Sequence, residues 1–155
     1  MNLLRSFGRL NRPFLITLLI AAVATVAQGK ELKLETKLIW GTNDEKSPKK
    51  EHELVDEATA TKLRKVFPWK NYFVEKRVIG HVPSRGTNQF KLSDKCTIEI
   101  AELEGPKVEV KLIGKGKPLH KATKELRKGE WIVYTGDDEK KECAWFVIIT
   151  ELDEK

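Results

Sequence analysis

Apolar and polar residues alternate along this chain over short segments, and that pattern is typical of β-strands. The first segment places its apolar residues on one face, at Leu32, Leu34, Leu38 and Trp40. The residues between them are mostly charged, at Lys33, Glu35 and Lys37. The alternation predicts a strand with one face buried and the other in water.

Seven further segments have strand patterns, and most of them are separated by turns that contain Gly or Pro. They run over residues 73–82, 88–92, 96–100, 108–112, 119–126, 131–135 and 144–152. Glu104-Gly105-Pro106 is predicted to join two of them as a hairpin. The last segment is apolar throughout from Ala144 to Ile149, which is typical of a central strand covered on both faces.

The spacing changes to three and four residues after a charged segment, residues 44–53, that is predicted to be a solvated loop. Asp56 is placed to cap a helix, because its carboxylate can accept hydrogen bonds from the first backbone N–H groups. The apolar face of this helix would consist of Ala60, Leu63, Val66 and Phe67, and Pro68 would end it.

These patterns together predict a mainly β fold: an antiparallel sandwich or curled sheet of about 6–8 strands, with one short helix near the N-terminal end. No internal repeat is found. The size fits one domain.

The first residues have the composition of a secretory signal peptide. Three arginines without an acid precede an apolar run over residues 14–27. Cleavage is predicted after Ala27 or Gly29, which gives a signal peptide over residues 1–27 and a single β-rich domain over residues 28–155. The alternative is an uncleaved membrane anchor through residues 14–27, which is shorter than the roughly 20 residues that a bilayer requires.

Removal of the signal peptide takes away Arg5, Arg9 and Arg12 and lowers the formal net charge from +6 to +3. A periplasmic or secreted domain with so little excess charge is not expected to bind nucleic acid.

Cys96 and Cys143 are the only cysteines. In an exported chain they are predicted to form a disulfide, because the compartment is oxidising. The alternative is a pair of buried thiols that pack as small apolar groups.

No cofactor or metal motif is present. His52, His81 and His120 are not spaced as ligands of one metal ion. A triad of Ser93, His81 and Asp94 lacks the sequence around the serine that such sites use, so no catalytic residue is predicted.

Two further segments resemble ligand-binding loops only in composition. Residues 114–117 lack the spacing of a phosphate loop and fit a hairpin turn. The acids at 137–139 could supply only part of a Ca²⁺ site and fit a solvated turn.

The junction between the helix and the next strand combines aromatic and basic residues. If it is exposed, Arg64, Trp69, Lys70 and Tyr72 are the best candidates for contact with a partner. The alternative is that these aromatics close one end of the sandwich core.

Four short motifs resemble those of small exported bacterial proteins of uncharacterised function. They are residues 38–43, residues 69–73, Lys128-Gly129-Glu130 and Ala144-Trp145-Phe146-Val147. The resemblance spans most of residues 32–150 and implies an extracytoplasmic setting, but no activity.

The leading hypothesis from the sequence is an exported, non-enzymatic β domain that binds a protein or a cell-envelope component. The alternative is a small extracytoplasmic hydrolase-like enzyme or an inhibitor of one, with acids such as Asp94 in a cleft. A third possibility is the first domain tethered to a membrane by an uncleaved signal.

Overall fold

A computed structural model describes residues 30–47, 49–50, 52–137 and 142–153. The predicted signal peptide and its two cleavage positions lie outside these residues, as do Asp138 and Glu139 of the acidic turn. The strands are β1 (Leu32–Thr42), β2 (Glu53–Leu54), β3 (Asn71–Val82), β4 (Thr87–Ser93), β5 (Cys96–Glu102), β6 (Lys107–Gly114), β7 (Lys117–Glu125), β8 (Trp131–Asp137) and β9 (Cys143–Glu151), and the helix is α1 (Glu57–Arg64).

The strands form two antiparallel sheets. One has five strands in the order β2-β3-β1-β9-β8, and the other has four in the order β4-β5-β6-β7. The chain enters the four-stranded sheet through the turn after β3 and leaves it after β7. The predicted mainly β, antiparallel fold with one short helix is therefore confirmed. The short strand β2 was not predicted, and it begins at Glu53, the last residue of the segment predicted to be a solvated loop.

The main hydrophobic core lies between the two sheets. The five-stranded sheet contributes Leu34, Leu38, Val82, Ile132, Val147 and Ile149, and the four-stranded sheet contributes Phe90, Leu92, Ile98, Ile100, Val108, Val110 and Leu112. These residues alternate along their strands with residues of the outer faces, as expected for two packed sheets.

Strand β1 differs from the half-buried strand predicted for it. It lies between β3 and β9 in the middle of the sheet. Glu35 on its outer face is buried, and its carboxylate forms ion pairs with Arg77 and, at 2.9 Å, with Lys37. The alternation of charged and apolar residues in β1 predicted that Glu35 faces water. Its carboxylate is instead covered by the side chains of the neighbouring cations.

Strand β9 is covered on both faces, as predicted. Val147 and Ile149 belong to the core between the sheets, while Phe146 and Ile148 belong to a second cluster on the outer face. The other sheet covers one face and the outer cluster with α1 covers the other, which accounts for the continuous apolar sequence of β9.

Helix α1 begins as predicted. Asp56 accepts hydrogen bonds from the backbone N–H of Thr59 at 2.9 Å and from the Thr59 hydroxyl at 2.6 Å. These bonds satisfy donors that have no partner within the helix. The helix packs Ala60 and Leu63 into the outer cluster.

Helix α1 ends earlier than predicted, at Arg64 rather than at Pro68. The backbone N–H groups of Val66 and Phe67 both donate to the carbonyl of Leu63, which closes the helix with a turn. Val66 was predicted on the buried face but is 73% exposed, because the turn moves it off that face.

Antiparallel pairing brings particular strand ends together. The last residues of β1, β4 and β6 lie at the same end of the sandwich as the first residues of β3, β5, β7 and β9. A cleft between the two sheets opens at this end.

Candidate functional site

A cleft of about 660 Å³ opens between the two sheets. Four of its lining residues are exposed and form its mouth: Lys49, Lys95, Lys115 and Leu119. The interior is lined by Leu38, Trp40, His52, Glu75, Ser93, Cys96, Leu112, Ile113, Gly114 and Trp145. The volume lies within the range of small-molecule sites in proteins. A lining of many apolar and few polar groups is also typical of such sites.

Two tryptophans form the wall that belongs to the five-stranded sheet. Trp40 in β1 lies directly opposite Trp145 in β9, so both indoles stand on the inner face of the sheet. Trp145 lies over Gly136, where a Cβ atom would be 2.4 Å from the indole ring. The glycine therefore allows the indole to pack closely against β8.

The opposite wall is built in a similar way. Leu119 lies over Gly114, where a Cβ atom would be 2.4 Å from the Leu119 Cδ1 atom. The register of β6 and β7 shifts beside Leu119: Leu112 pairs with His120, whereas Ile113 pairs with Pro118, so Leu119 has no partner residue in the ladder. This irregularity leaves Leu119 at the mouth with 62% of its surface exposed.

Three polar residues of the cleft, Lys49, Glu75 and His52, each have a polar partner. Lys49 Nζ lies 3.0 Å from Glu75 Oε1. His52 Nδ1 lies 2.8 Å from Ser47 Oγ, within hydrogen-bond distance. The Lys49–Glu75 pair holds the loop before β2 against β3, and the His52–Ser47 contact lies within that loop.

Cys96 presents a thiol to the interior of the cleft. Burial raises the pKa of this thiol above its ordinary value, and the Glu75 carboxylate raises it further. A raised pKa keeps the group protonated at neutral pH, whereas nucleophilic cysteines act as thiolates.

The predicted disulfide between Cys96 and Cys143 is not present. Cys96 opens β5 in the four-stranded sheet, and Cys143 opens β9 opposite Thr42 in the five-stranded sheet. The prediction was wrong for the structure described here, because a shared compartment does not place two thiols at bonding distance.

The aromatic junction forms a second cluster on the outer face of the five-stranded sheet. Phe67 and Tyr72 meet Phe146 edge-on, with ring centroids 4.7 and 5.7 Å apart. Tyr72 is only 1% exposed. These aromatics hold α1 against the sheet and do not close an end of the main core, which corrects the alternative predicted from the sequence.

The four predicted binding residues are split by this packing. Tyr72 is buried, and Trp69 is half-buried over Gly41. Arg64 and Lys70 are exposed, and Arg64 Nε donates to the Lys70 carbonyl at 3.2 Å. Binding of a partner by this junction stays a prediction, with Arg64, Trp69 and Lys70 as its accessible residues.

The candidate catalytic and metal residues do not come together. Ser93 ends β4 at the cleft end, and Asp94 follows it and pairs with Lys91 at 3.0 Å. His81 lies near the end of β3 that is far from the cleft. In the part of the chain that the structure describes, no group of three His, Cys, Asp or Glu residues could hold a metal ion. Residues 114–117 form the predicted hairpin turn.

The sequence did not identify the cleft. Trp40 and Leu112 were assigned to the apolar faces of their strands, and Trp145 to a strand covered on both faces, but alternation does not show which end of a sandwich stays open. Lys49 and His52 lie in a segment that was predicted to be solvated. Gly136 and Gly114 carried a usable signal, because glycine within a strand often marks close approach of another group.

Within the described ranges, no helix is long and apolar enough to cross a membrane. No protein family, curated protein or solved structure matches this chain. The resemblance to small exported bacterial proteins therefore stays a prediction.

Proposed function

We propose that this chain is a non-enzymatic binding domain that holds an apolar small molecule in the cleft between its sheets. The observation that carries the proposal is the open cleft of about 660 Å³, with Trp40 and Trp145 on one wall and Leu112 and Leu119 on the other. Aromatic and aliphatic side chains left facing an opening of this size are a typical ligand site.

The chemistry of the cleft favours binding over catalysis. The raised pKa of Cys96 disfavours a thiolate nucleophile. Glu75 is paired with Lys49, and His52 with Ser47. No described hydrogen bond joins either group to the Ser93 hydroxyl or the Cys96 thiol, whereas nucleophilic catalysis requires a base beside the nucleophile.

The setting is part of the same proposal. The arginines and the apolar run over residues 14–27 support export. An exported domain with an apolar cleft would bind a hydrophobic component of the cell envelope, which matches the leading hypothesis from the sequence.

A neutral apolar dye tests the proposal. N-phenyl-1-naphthylamine becomes more fluorescent in an apolar site, and we expect saturable binding to residues 28–155 and displacement by dodecanol. Trp145→Ala should weaken dye binding by about tenfold, because it removes a large contact surface from the wall.

Trp69→Ala is the matched control. Trp69 is also a half-buried tryptophan, but it lies on the outer face of the same sheet. Its removal should leave dye binding unchanged. Equal losses in both variants, or no saturable binding by the wild-type domain, would contradict the proposal.

A second candidate is a small hydrolase-like enzyme. It is favoured by one observation, that His52, Glu75 and Cys96 line the same cleft. Hydrolysis of a panel of chromogenic esters that is abolished by Cys96→Ala or His52→Gln would support this candidate over simple binding.

A further inference from the structure

The mouth of the cleft carries positive charge that the described residues do not neutralise. In residues 30–47, 49–50, 52–137 and 142–153, the ammonium groups of Lys95 and Lys115 form no ion pair. The carboxylate that follows β4, Asp94, is engaged with Lys91 at 3.0 Å. Both lysines therefore leave their charge available to a ligand.

Lys49 at the other side of the mouth shows the contrast. Its ammonium group lies 3.0 Å from the Glu75 carboxylate, so the two charges compensate each other. The net positive charge of the mouth is thus confined to the side that belongs to the four-stranded sheet.

Two adjacent turns position Lys95 and Lys115. The backbone N–H of Lys115 donates to the carbonyl of Lys95 at 3.1 Å, which ties the turn after β6 to the turn before β5. The two lysines accordingly approach the cleft from neighbouring points of one rigid sheet end.

The backbone at Lys115 is fixed by a tight turn. Its φ is +50°, and the φ of Gly116 is +76°, as in a two-residue hairpin turn. Asn, Asp or Gly is favoured at such a position, and a lysine there is strained. The turn thus fixes the backbone from which the Lys115 side chain extends at the mouth of the cleft.

Apolar surface lies directly beside these charges. Leu119 covers Gly114 next to the same turn, and Ile113 and Leu112 continue this surface into the cleft. A ligand that fits both features has an anionic group at one end and an apolar chain behind it.

We propose that the cleft binds a single-chain carboxylate amphiphile, with its carboxylate between Lys95 and Lys115 and its chain against Trp40 and Trp145. This inference rests on the proposed function of the cleft and adds the chemical class of the ligand. The charge on the two lysines then selects the ligand, and the two tryptophans supply contact area.

The test compares two ligands that differ only in the head group. Dodecanoate and dodecanol should both displace the neutral dye from the wild-type domain, and dodecanoate should do so at a concentration about fivefold lower. Added salt should reduce this preference, because exposed charges are screened.

Variants assign the preference to the two lysines. Lys95→Gln with Lys115→Gln should bring dodecanoate to the level of dodecanol, and each single variant should have an intermediate effect. Lys107→Gln is the matched control. Lys107 is exposed and begins β6, at the end of that strand opposite to the turn that carries Lys115. This variant should preserve the preference.

The outcomes separate the two proposals. Saturable dye binding with equal displacement by both ligands, or a preference that survives the double variant, overturns the carboxylate inference and leaves the cleft a neutral apolar site. Absence of dye binding overturns the proposed function itself. Sedimentation with anionic phospholipid vesicles, without a preference for soluble dodecanoate, would assign the lysines to a membrane surface and overturn the inference.

Discussion

Trp145 and Phe146 are neighbours on β9 and lie on opposite faces of the five-stranded sheet. Phe146 is 0% exposed, because α1 and the aromatic junction cover its face and two rings meet it edge-on. Trp145 faces the other sheet at the end where the sandwich is open, and remains half-buried in the wall of the cleft.

The difference between these neighbours shows what distinguishes a core aromatic from a candidate ligand contact. Both are large and apolar, and each lies near a glycine that permits close packing, Gly41 for Phe146 and Gly136 for Trp145. Only the outer face has a helix whose length and position fill the remaining space. The inner face at this end is left for a ligand.

The largest expected effect is on stability. Phe146→Ala removes a fully buried ring from the outer cluster and should lower the free energy of unfolding by about 3–5 kcal/mol. Trp145→Ala should cost less than half as much, because that side chain is already partly in contact with water. Urea unfolding followed by circular dichroism measures both changes. Equal losses in the free energy of unfolding would contradict the difference between the two faces of β9.

The next effect concerns ligand binding. Gly136→Ala places a methyl group where the Trp145 indole lies, and the indole must move. We expect dye binding to weaken by about fivefold to tenfold, roughly 1 kcal/mol, with a shift in tryptophan emission. Thr135→Ala, at an exposed neighbouring position in β8, is the control and should alter neither measurement.

A smaller effect is expected at the helix that covers the outer face. Asp56→Ala removes the helix cap and should lower the free energy of unfolding by about 1 kcal/mol at neutral pH. Hydrogen bonds from the Thr59 side chain and backbone lower the pKa of the Asp56 carboxyl in the folded protein. The stabilisation is therefore complete above the unfolded-state pKa of about 4 and is lost as the pH falls through the lower folded-state value.

The wild type and Asp56→Ala should accordingly converge in stability as the pH falls below about 4. Asp56→Asn keeps a capping oxygen that does not titrate, so its stability relative to Asp56→Ala should not change over this range. A constant difference between the wild type and Asp56→Ala from pH 7 to pH 3 would contradict the assigned role of the carboxylate.

The smallest effect concerns the edge of the outer face. Lys62 of α1 lies over the Trp131 ring, with Nζ 4.5 Å from the ring centroid. Lys62→Gln should lower the free energy of unfolding by about 0.5 kcal/mol through loss of this cation–π contact. Lys65→Gln, an exposed lysine just beyond the helix, should have no measurable effect, and equal changes in the two variants would argue against the contact.

Much of the fold could be predicted because its determinants are local. Alternation located the strands, and Asp56 and the change of spacing located the start of the helix. The end of the helix was missed because a turn at Leu63 competes with continued helix, and propensity alone does not decide between them. The buried state of Glu35 was missed because it depends on cations from β1 and β3.

The candidate site could be predicted only in part. Trp40 and Trp145 were assigned to strands, and Gly136 to a turn. None was assigned to a cleft, because the cleft depends on how two sheets diverge at one end. The aromatic junction was predicted as a candidate contact surface because it combines aromatic and basic residues, but most of its apolar side chains pack against α1 and the sheet.

The sequence by itself determined the mainly β class, the start of the helix and the apolar faces of β1, β5 and β6, because these follow from the period of side chains along a local backbone. Only the tertiary structure decided which aromatics are covered, which lysines have ion-pair partners and where an opening remains. Those properties depend on residues far apart in the chain, brought together by the pairing of β1 with β3 and β9 and by the packing of the two sheets.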